Sequence, residues 1–178
     1  MLKEALTNAH VWWRIADPAW LEPLDPSFAS RTGGRWNPPD SYPTLYLNED
    51  MVTARLNLRT FIAQWPYEAE DLRDDTGPML LGVALPRHQR VVDVHSRAGI
   101  RAVGLPDTYP LDERGERVPH SDCQSIGQRA KSDRLQGVRA RSAQSPEGAG
   151  RELAWFPATP RSHARRTATL AFEAWFWR

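Results

Sequence analysis

Short apolar runs separated by polar turns predict small strands, and two stretches have the spacing of helices. Continuous or alternating apolar residues are typical of strands, whereas apolar residues three and four apart are typical of helices. The predicted strands are residues 12–15, 45–47, 79–85, 91–94, 138–142, 153–156 and 167–177, and the predicted helices are residues 49–64 and 125–135. This mixture predicts the α+β class, in a single domain over residues 1–178.

The first predicted helix follows the apolar strand Leu45–Leu47. Asn48 is a favourable N-cap residue, and Pro66 ends the helix near Gln64. The apolar face consists of Met51, Ala54, Leu58, Phe61, Ile62 and Trp65. Asn57 lies roughly 80° from the centre of that face, at about 100° per residue. This border position alone predicts an ordinary solvated side chain.

Residues 17–44 are rich in Pro, Asp, Ser and Gly, which predicts a long irregular loop. Loops of this length within a domain are usually functional or disordered. This one contains the motif Gly33-Gly34-Arg35-Trp36-Asn37-Pro38. The glycines let the backbone approach a ligand closely, and a guanidinium can bind a phosphate or carboxylate through two hydrogen bonds. The motif therefore predicts a site for a flat, charged small molecule, with a loop-closing salt bridge as the structural alternative.

The net charge of the 178 residues is only +1, but acidic residues predominate before residue 129 and basic residues after it. The basic residues are mostly Arg and accompany no nucleic-acid motif, so direct nucleic-acid binding is not predicted. The single Cys123 excludes an intramolecular disulfide, and with His120 it forms at most half of a zinc site, so no metal is expected. The absence of a signal-peptide pattern and of a long apolar run predicts a cytoplasmic protein with no membrane contact.

The motif and its companions together resemble the RES domain, a family named for its Arg, Glu and Ser positions. The matching residues are Arg14, Gly33–Pro38, Leu45–Leu47, Ala54 with Asn57, Gly137–Ser142 and Glu152–Phe156. The resemblance covers roughly residues 12–157. Its most specific part is Gly-Gly-Arg-Trp-Asn with a Leu-Tyr-Leu strand about ten residues further on.

The resemblance implies an ADP-ribosyltransferase-like fold with split β-sheets and flanking helices. It also implies an NAD-consuming toxin of a bacterial toxin–antitoxin system, which cleaves the nicotinamide–ribose bond as an NAD glycohydrolase or a protein ADP-ribosyltransferase. NAD is then the substrate, an Xre-type helix-turn-helix antitoxin is the expected partner, and a target protein is a further partner if ADP-ribose is transferred.

The resemblance also implies roles for individual residues. Arg14 and Arg35 would hold the NAD phosphates, while Tyr46 and Ser142 would orient the nicotinamide riboside. The implied catalytic residues are Arg35, Tyr46, Asn57 and Ser142, and the implied binding residues are Arg14, Gly34, Arg35, Trp36, Asn37, Tyr46 and Ser142.

Asn57 departs from the family pattern, which has a glutamate at this position. Cleavage builds positive charge on the ribose, and a carboxylate stabilises that charge whereas a neutral amide does not. Losing one such group commonly costs on the order of 10²–10³ in rate. Glu49 and Asp50 lie about two turns earlier and do not replace it. The alternatives are a slow enzyme, an enzyme with its carboxylate elsewhere, or a non-catalytic module that binds NAD or another nucleotide.

Overall fold

The computed structural model describes residues 1–145, 149–159 and 161–178, which contain eight strands and five α-helices. The strands are β1 Lys3–Ala5, β2 Trp12–Ala16, β3 Leu45–Asn48, β4 Met79–Ala84, β5 Arg90–Val94, β6 Gly137–Arg141, β7 Arg151–Trp155 and β8 Arg165–Leu170. The helices are α1 Ser27–Thr32, α2 Met51–Ile62, α3 Arg97–Val103, α4 His120–Ser132 and α5 Phe172–Phe176. The predicted α+β class is confirmed.

All eight strands belong to one sheet, in the order β1-β5-β6-β7-β3-β2-β4-β8. Neighbouring strands are antiparallel except β5 and β6, which are parallel. β2 and β3 pair at a single position, where Trp13 lies opposite Asn48, whereas the pairs on either side share four or five positions. The expected split therefore takes the form of a narrow junction within one continuous sheet.

Three apolar clusters form the core on the two faces of this sheet. The first packs α3 and α4 against β5, β6 and β7, and it includes Trp36, Val94, Ile126, Val138 and Phe156. The second lies on the opposite face and includes Trp12, Leu45, Leu47, Leu153 and Trp155. The third packs α2 against α5 and includes Ala54, Leu58, Leu80, Phe172 and Trp175.

Several predicted boundaries are wrong. The long loop over residues 17–44 contains α1, and α3 lies in a stretch for which no helix was predicted. α4 begins at His120 and ends at Ser132 rather than spanning residues 125–135. The predicted strand over residues 167–177 is instead β8 followed by α5. A turn expected over residues 145–150 lies partly outside the described residues.

The helix that carries Asn57 also differs from its prediction at both ends. Asp50, not Asn48, is the N-cap residue, because its carboxylate accepts a 2.7 Å hydrogen bond from the Thr53 amide. The helix ends at Ile62 rather than near Gln64. Asn48 remains the last residue of β3, so its side chain is free for other contacts.

No helix in the described ranges is long and apolar enough to cross a membrane.

Gly127 lets α4 pack directly on the backbone of the glycine–arginine loop. A Cβ atom at this position would clash with the Trp36 carbonyl oxygen and would approach the Tyr42 hydroxyl to 2.8 Å. The Trp36 oxygen also accepts a 2.7 Å hydrogen bond from that hydroxyl, so it has little freedom to move. This close approach fixes the loop against the middle of α4.

We predict that Gly127→Ala lowers the free energy of unfolding by about 1–3 kcal/mol, because overpacking outweighs the gain in helix propensity. Ser125→Ala is the matched control on the exposed side of the same helix, and it should change the free energy by less than about 0.5 kcal/mol. Chemical denaturation with circular dichroism measures both values. Equal stability of the two variants would contradict the proposed packing.

Candidate functional site

A polar network connects α2 with strands β3 and β7 on one face of the sheet. Asn48 and Glu152 lie opposite each other in the β3–β7 ladder, and Asn57 reaches both from α2. The Asn57 Nδ2 atom donates to Asn48 Oδ1 at 2.6 Å and to Glu152 Oε1 at 2.8 Å. Asn57 is only 8% exposed, so the predicted solvated position is wrong.

Ser142 completes this network from the strand on the other side of β7. It follows β6 directly and is fully buried, and its backbone amide donates to the Gly150 carbonyl at 2.7 Å. The Ser142 hydroxyl donates to Asn57 Oδ1 at 3.0 Å and accepts from the Gln144 amide at 3.2 Å. The structure thus brings Ser142 and Asn57 together, and each hydrogen-bonding group of the Asn57 amide has a partner.

The Tyr46 hydroxyl connects β3 to the glycine–arginine loop. It accepts a 2.9 Å hydrogen bond from the Trp36 amide and donates one of 2.8 Å to Asn37 Oδ1. Gly34 packs against the Tyr46 ring, because a Cβ atom there would clash with the ring and its hydroxyl. Burial raises the pKa of Tyr46, so the hydroxyl stays protonated at neutral pH.

Arg35 extends from this loop toward the residues that precede α4. Its guanidinium donates to the Val118 carbonyl at 3.2 Å and approaches the Cys123 sulfur at 3.9 Å. No carboxylate lies within 4.0 Å of it in the part of the chain that the structure describes. The loop-closing salt bridge considered from the sequence is therefore absent among those residues, and the half-buried cation is available to an anion.

Glu152 is a half-buried carboxylate to which the sequence argument assigned no role. No arginine, lysine or histidine nitrogen in the described ranges lies within 4.0 Å of its oxygens. The negative charge of Glu152 raises the pKa of Tyr46, and the positive charge of Arg35 lowers it. Both effects are smaller than the effect of burial. The two unpaired charges therefore lie around the same tyrosine. The signal available in the sequence was a lone acidic residue at the start of the apolar run Leu153–Phe156.

Tyr109 and Cys123 also lie near these charges, and neither was predicted to belong to the site. Tyr109 is fully buried, and its hydroxyl has no hydrogen-bond partner among the residues described. Burial raises the pKa of Tyr109, with smaller opposing effects from Arg35 and Glu152. Burial also raises the pKa of the Cys123 thiol, which Arg35 partly offsets. A protonated thiol is a poor nucleophile.

The Arg14 side chain lies on the other face of the sheet from the Tyr46 side chain, and its expected role beside Arg35 in holding the NAD phosphates stays a prediction. Along β2 it shares its face with Trp12 and Ala16, whereas the Tyr46 side chain packs on the opposite face. The Arg14 guanidinium donates to the Pro23 carbonyl at 2.5 Å and to the Tyr46 carbonyl at 3.0 Å. The guanidinium thus connects the segment around Pro23 to β3, close to the β2–β3 junction. Burial lowers the pKa of Arg14 to about 10, so the group is still charged at neutral pH.

The Trp36 and Asn37 side chains are buried under the loop, and the expectation that both contact the ligand stays a prediction. Trp36 is 2% exposed and packs in the first apolar cluster. Asn37 is fully buried, and its Nδ2 atom donates to the Ala29 carbonyl at 2.6 Å. Of the predicted loop residues, Gly34 and Arg35 remain at the surface of the site.

Two other features of the molecule lie apart from this site. A groove of about 850 Å³ lies beside Pro23, Leu24 and Trp155, and none of the predicted site residues lines it. Glu4, Asp93 and His95 place one ligand atom each within 4.8 Å of one another, as a metal site would require. Their oxygens already bind other groups, however, since Arg139 donates to Glu4 at 3.2 Å and the His95 and Ser96 amides donate to Asp93 at 2.9 Å.

The chain belongs to the RES domain family, whose model matches residues 11–176. The structure is similar to a chain in the crystal structure of the M. tuberculosis MbcT–MbcA toxin–antitoxin complex, with a TM-score of 0.73 and 20% sequence identity. The match covers 98% of this chain and 92% of the other. Among curated proteins, no relative matches the sequence.

His120, the first residue of α4, reports on the charge of Arg35. Burial lowers the pKa of His120, and the Arg35 guanidinium lowers it further because like charges repel. We predict that Arg35→Ala raises the pKa of His120, whereas Arg129→Ala on the exposed side of α4 leaves it unchanged. NMR titration of the histidine ring measures the shift. An unchanged pKa in Arg35→Ala would contradict the arrangement of these two side chains.

Proposed function

We propose that this protein is the toxin of a bacterial toxin–antitoxin system and that it cleaves the nicotinamide–ribose bond of NAD. The observation that carries the proposal is the presence of two opposite charges, Arg35 and Glu152, on either side of the half-buried Tyr46, and neither has an ion-pair partner among the residues described. NAD has a matching distribution of charge, because its pyrophosphate is anionic and its nicotinamide ring is cationic. The family and the fold of the chain support the same assignment.

The pyrophosphate would bind between Arg35 and the N-terminus of α4. The 13-residue helix begins after Pro119 without a side-chain cap, so the amides of its first turn are free to bind an anion. Arg35 lies beside this terminus, since its guanidinium donates to the Val118 carbonyl. A guanidinium and a helix N-terminus that face one volume favour a phosphate group strongly.

The nicotinamide riboside would then lie over Tyr46, toward Asn57, Ser142 and Glu152. Bond cleavage is dissociative: the C1′–N bond breaks, and both of its electrons leave with nicotinamide. Water or a side chain of a target protein adds to C1′, and its proton passes to the solvent. The residues of this chain hold the substrate so that the positive charge develops beside polar groups fixed in advance.

An antitoxin of the Xre helix-turn-helix type would be the physiological partner. The chain is similar to a structure solved as a toxin–antitoxin complex, which supports a partner of this class. We place the reaction in the cytoplasm, where NAD is abundant.

A second candidate is a module that binds NAD or another nucleotide without cleaving it. The observation that favours this candidate is the neutral Asn57 amide, which is fully engaged in hydrogen bonds and carries no charge for catalysis. Both candidates require Arg35 for binding, but only the enzyme releases nicotinamide.

We expect purified protein to release nicotinamide from NAD, and Arg35→Ala to lower kcat/KM about 10- to 100-fold through loss of charge-assisted hydrogen bonds. Arg129→Ala removes an exposed arginine of α4 and serves as the matched control, with unchanged kinetics. Chromatographic quantification of nicotinamide measures the rate. Binding of NAD without release of nicotinamide, both alone and with cell extract as a source of target protein, would establish the second candidate and exclude the enzyme.

A further inference from the structure

We propose that Glu152 supplies the negative charge that stabilises the ribose during cleavage, and that Asn57 positions this carboxylate. The inference rests on the proposed function, since it concerns the chemistry of the same site. Position 57 has no carboxylate, and the negative charge then comes from Glu152 on the neighbouring strand β7.

The position of Glu152 supports this assignment. Its Oε1 atom accepts a hydrogen bond of 2.8 Å from the Asn57 Nδ2 atom, so its charge lies one hydrogen bond away from the helix position where family members carry theirs. It is half-buried, so solvent screens its charge less than that of an exposed carboxylate. Within the described residues it forms no ion pair that would neutralise it.

Two other acidic side chains at the start of α2 are already engaged within the part of the chain that the structure describes. Glu49 binds the Arg139 guanidinium through both carboxylate oxygens, at 2.5 and 3.2 Å. Asp50 caps α2 through Thr53. Among the acidic residues described around the start of α2, Glu152 is therefore the one whose charge is available to a ligand.

The Asn57 amide has only one orientation that satisfies its neighbours. Its oxygen must accept from the Ser142 hydroxyl, and its nitrogen must donate to the oxygens of Asn48 and Glu152. The amide thereby holds one carboxylate oxygen in place and leaves the other for the substrate. A glutamate at position 57 would bring two carboxylates to hydrogen-bond distance, where only one of them can ionise. A neutral amide at position 57 is thus compatible with a carboxylate at position 152, whereas a second carboxylate is not.

The proposed step balances without a further reactant. When the C1′–N bond breaks, nicotinamide takes the electron pair and positive charge spreads over C1′ and the ring oxygen of the ribose. The Glu152 carboxylate stabilises that charge through space and stays ionised. The incoming water or protein nucleophile loses its proton to the solvent.

The first test is Glu152→Gln, which keeps the size of the side chain and an oxygen acceptor for Asn57. We expect kcat for nicotinamide release to fall about 10²–10³-fold, because one preorganised charge is lost. The affinity for ADP-ribose, measured by calorimetry, and the melting temperature should change little. Glu173→Gln makes the same exchange at an exposed position of α5 and should leave all three quantities unchanged.

The second test returns the charge to the helix in the double variant Asn57→Glu/Glu152→Gln. Here the amide introduced at position 152 can donate to the carboxylate introduced at position 57, so the hydrogen bond between the two positions is kept with its direction reversed. We expect at least about a tenfold recovery of kcat over Glu152→Gln, part of the loss ascribed to one preorganised group. Asn57→Glu alone brings the two carboxylates together, and it should be less stable and less active than the double variant. Recovery of the rate by relocation of the charge separates a catalytic role from a structural one.

The outcomes distinguish this inference from the proposed function. If Glu152→Gln keeps the wild-type kcat while Arg35→Ala is slow, the protein cleaves NAD but Glu152 is not the stabilising charge. If Glu152→Gln loses activity together with ADP-ribose affinity and melting temperature, and the double variant recovers nothing, Glu152 has only a structural role. If the wild-type protein releases no nicotinamide, the proposed function fails and this inference fails with it.

Discussion

The Tyr46 hydroxyl is the contact on which the rest of the site depends. It bonds simultaneously to the Trp36 amide and the Asn37 side chain, and so joins an irregular loop to the central strand β3. Gly34 allows this contact because any side chain there would displace the tyrosine ring. Gly127 holds the same loop from the other side, where α4 meets the Trp36 carbonyl. Arg35 lies between these two attachments. The packing of the loop therefore sets the direction in which the Arg35 side chain leaves the backbone.

The second element of the site is the neutral side-chain amide of Asn57, which donates a hydrogen bond to the carboxylate of Glu152. A half-buried carboxylate needs hydrogen-bond donors, and Asn57 provides one to Glu152 without pairing it with a cation. The same four-residue network connects α2 with β3, β7 and the end of β6. It therefore also attaches the helix to the sheet beside the narrow β2–β3 junction. Binding and catalysis, as proposed, therefore depend on two charges that the fold keeps apart.

Local patterns predicted the parts of the structure that local interactions determine. The central strands and α2 follow from apolar spacing. The short helices α1 and α3 were missed, because helices of six or seven residues depend on tertiary contacts more than on propensity. The position of Arg14 could not be predicted because its face depends on how β2 meets β3. Glu152 was passed over for a similar reason, since its approach to Asn57 depends on strand register and helix placement.

A crystal structure of Glu152→Gln with NAD tests the account most directly, because this substitution slows cleavage while it preserves the shape of the site. We predict that the pyrophosphate lies against Arg35 and the N-terminus of α4, with the ribose C1′ facing residue 152 and Asn57. A structure with the nicotinamide ribose far from residue 152, or with NAD in the groove beside Leu24 and Trp155, would contradict the central claim.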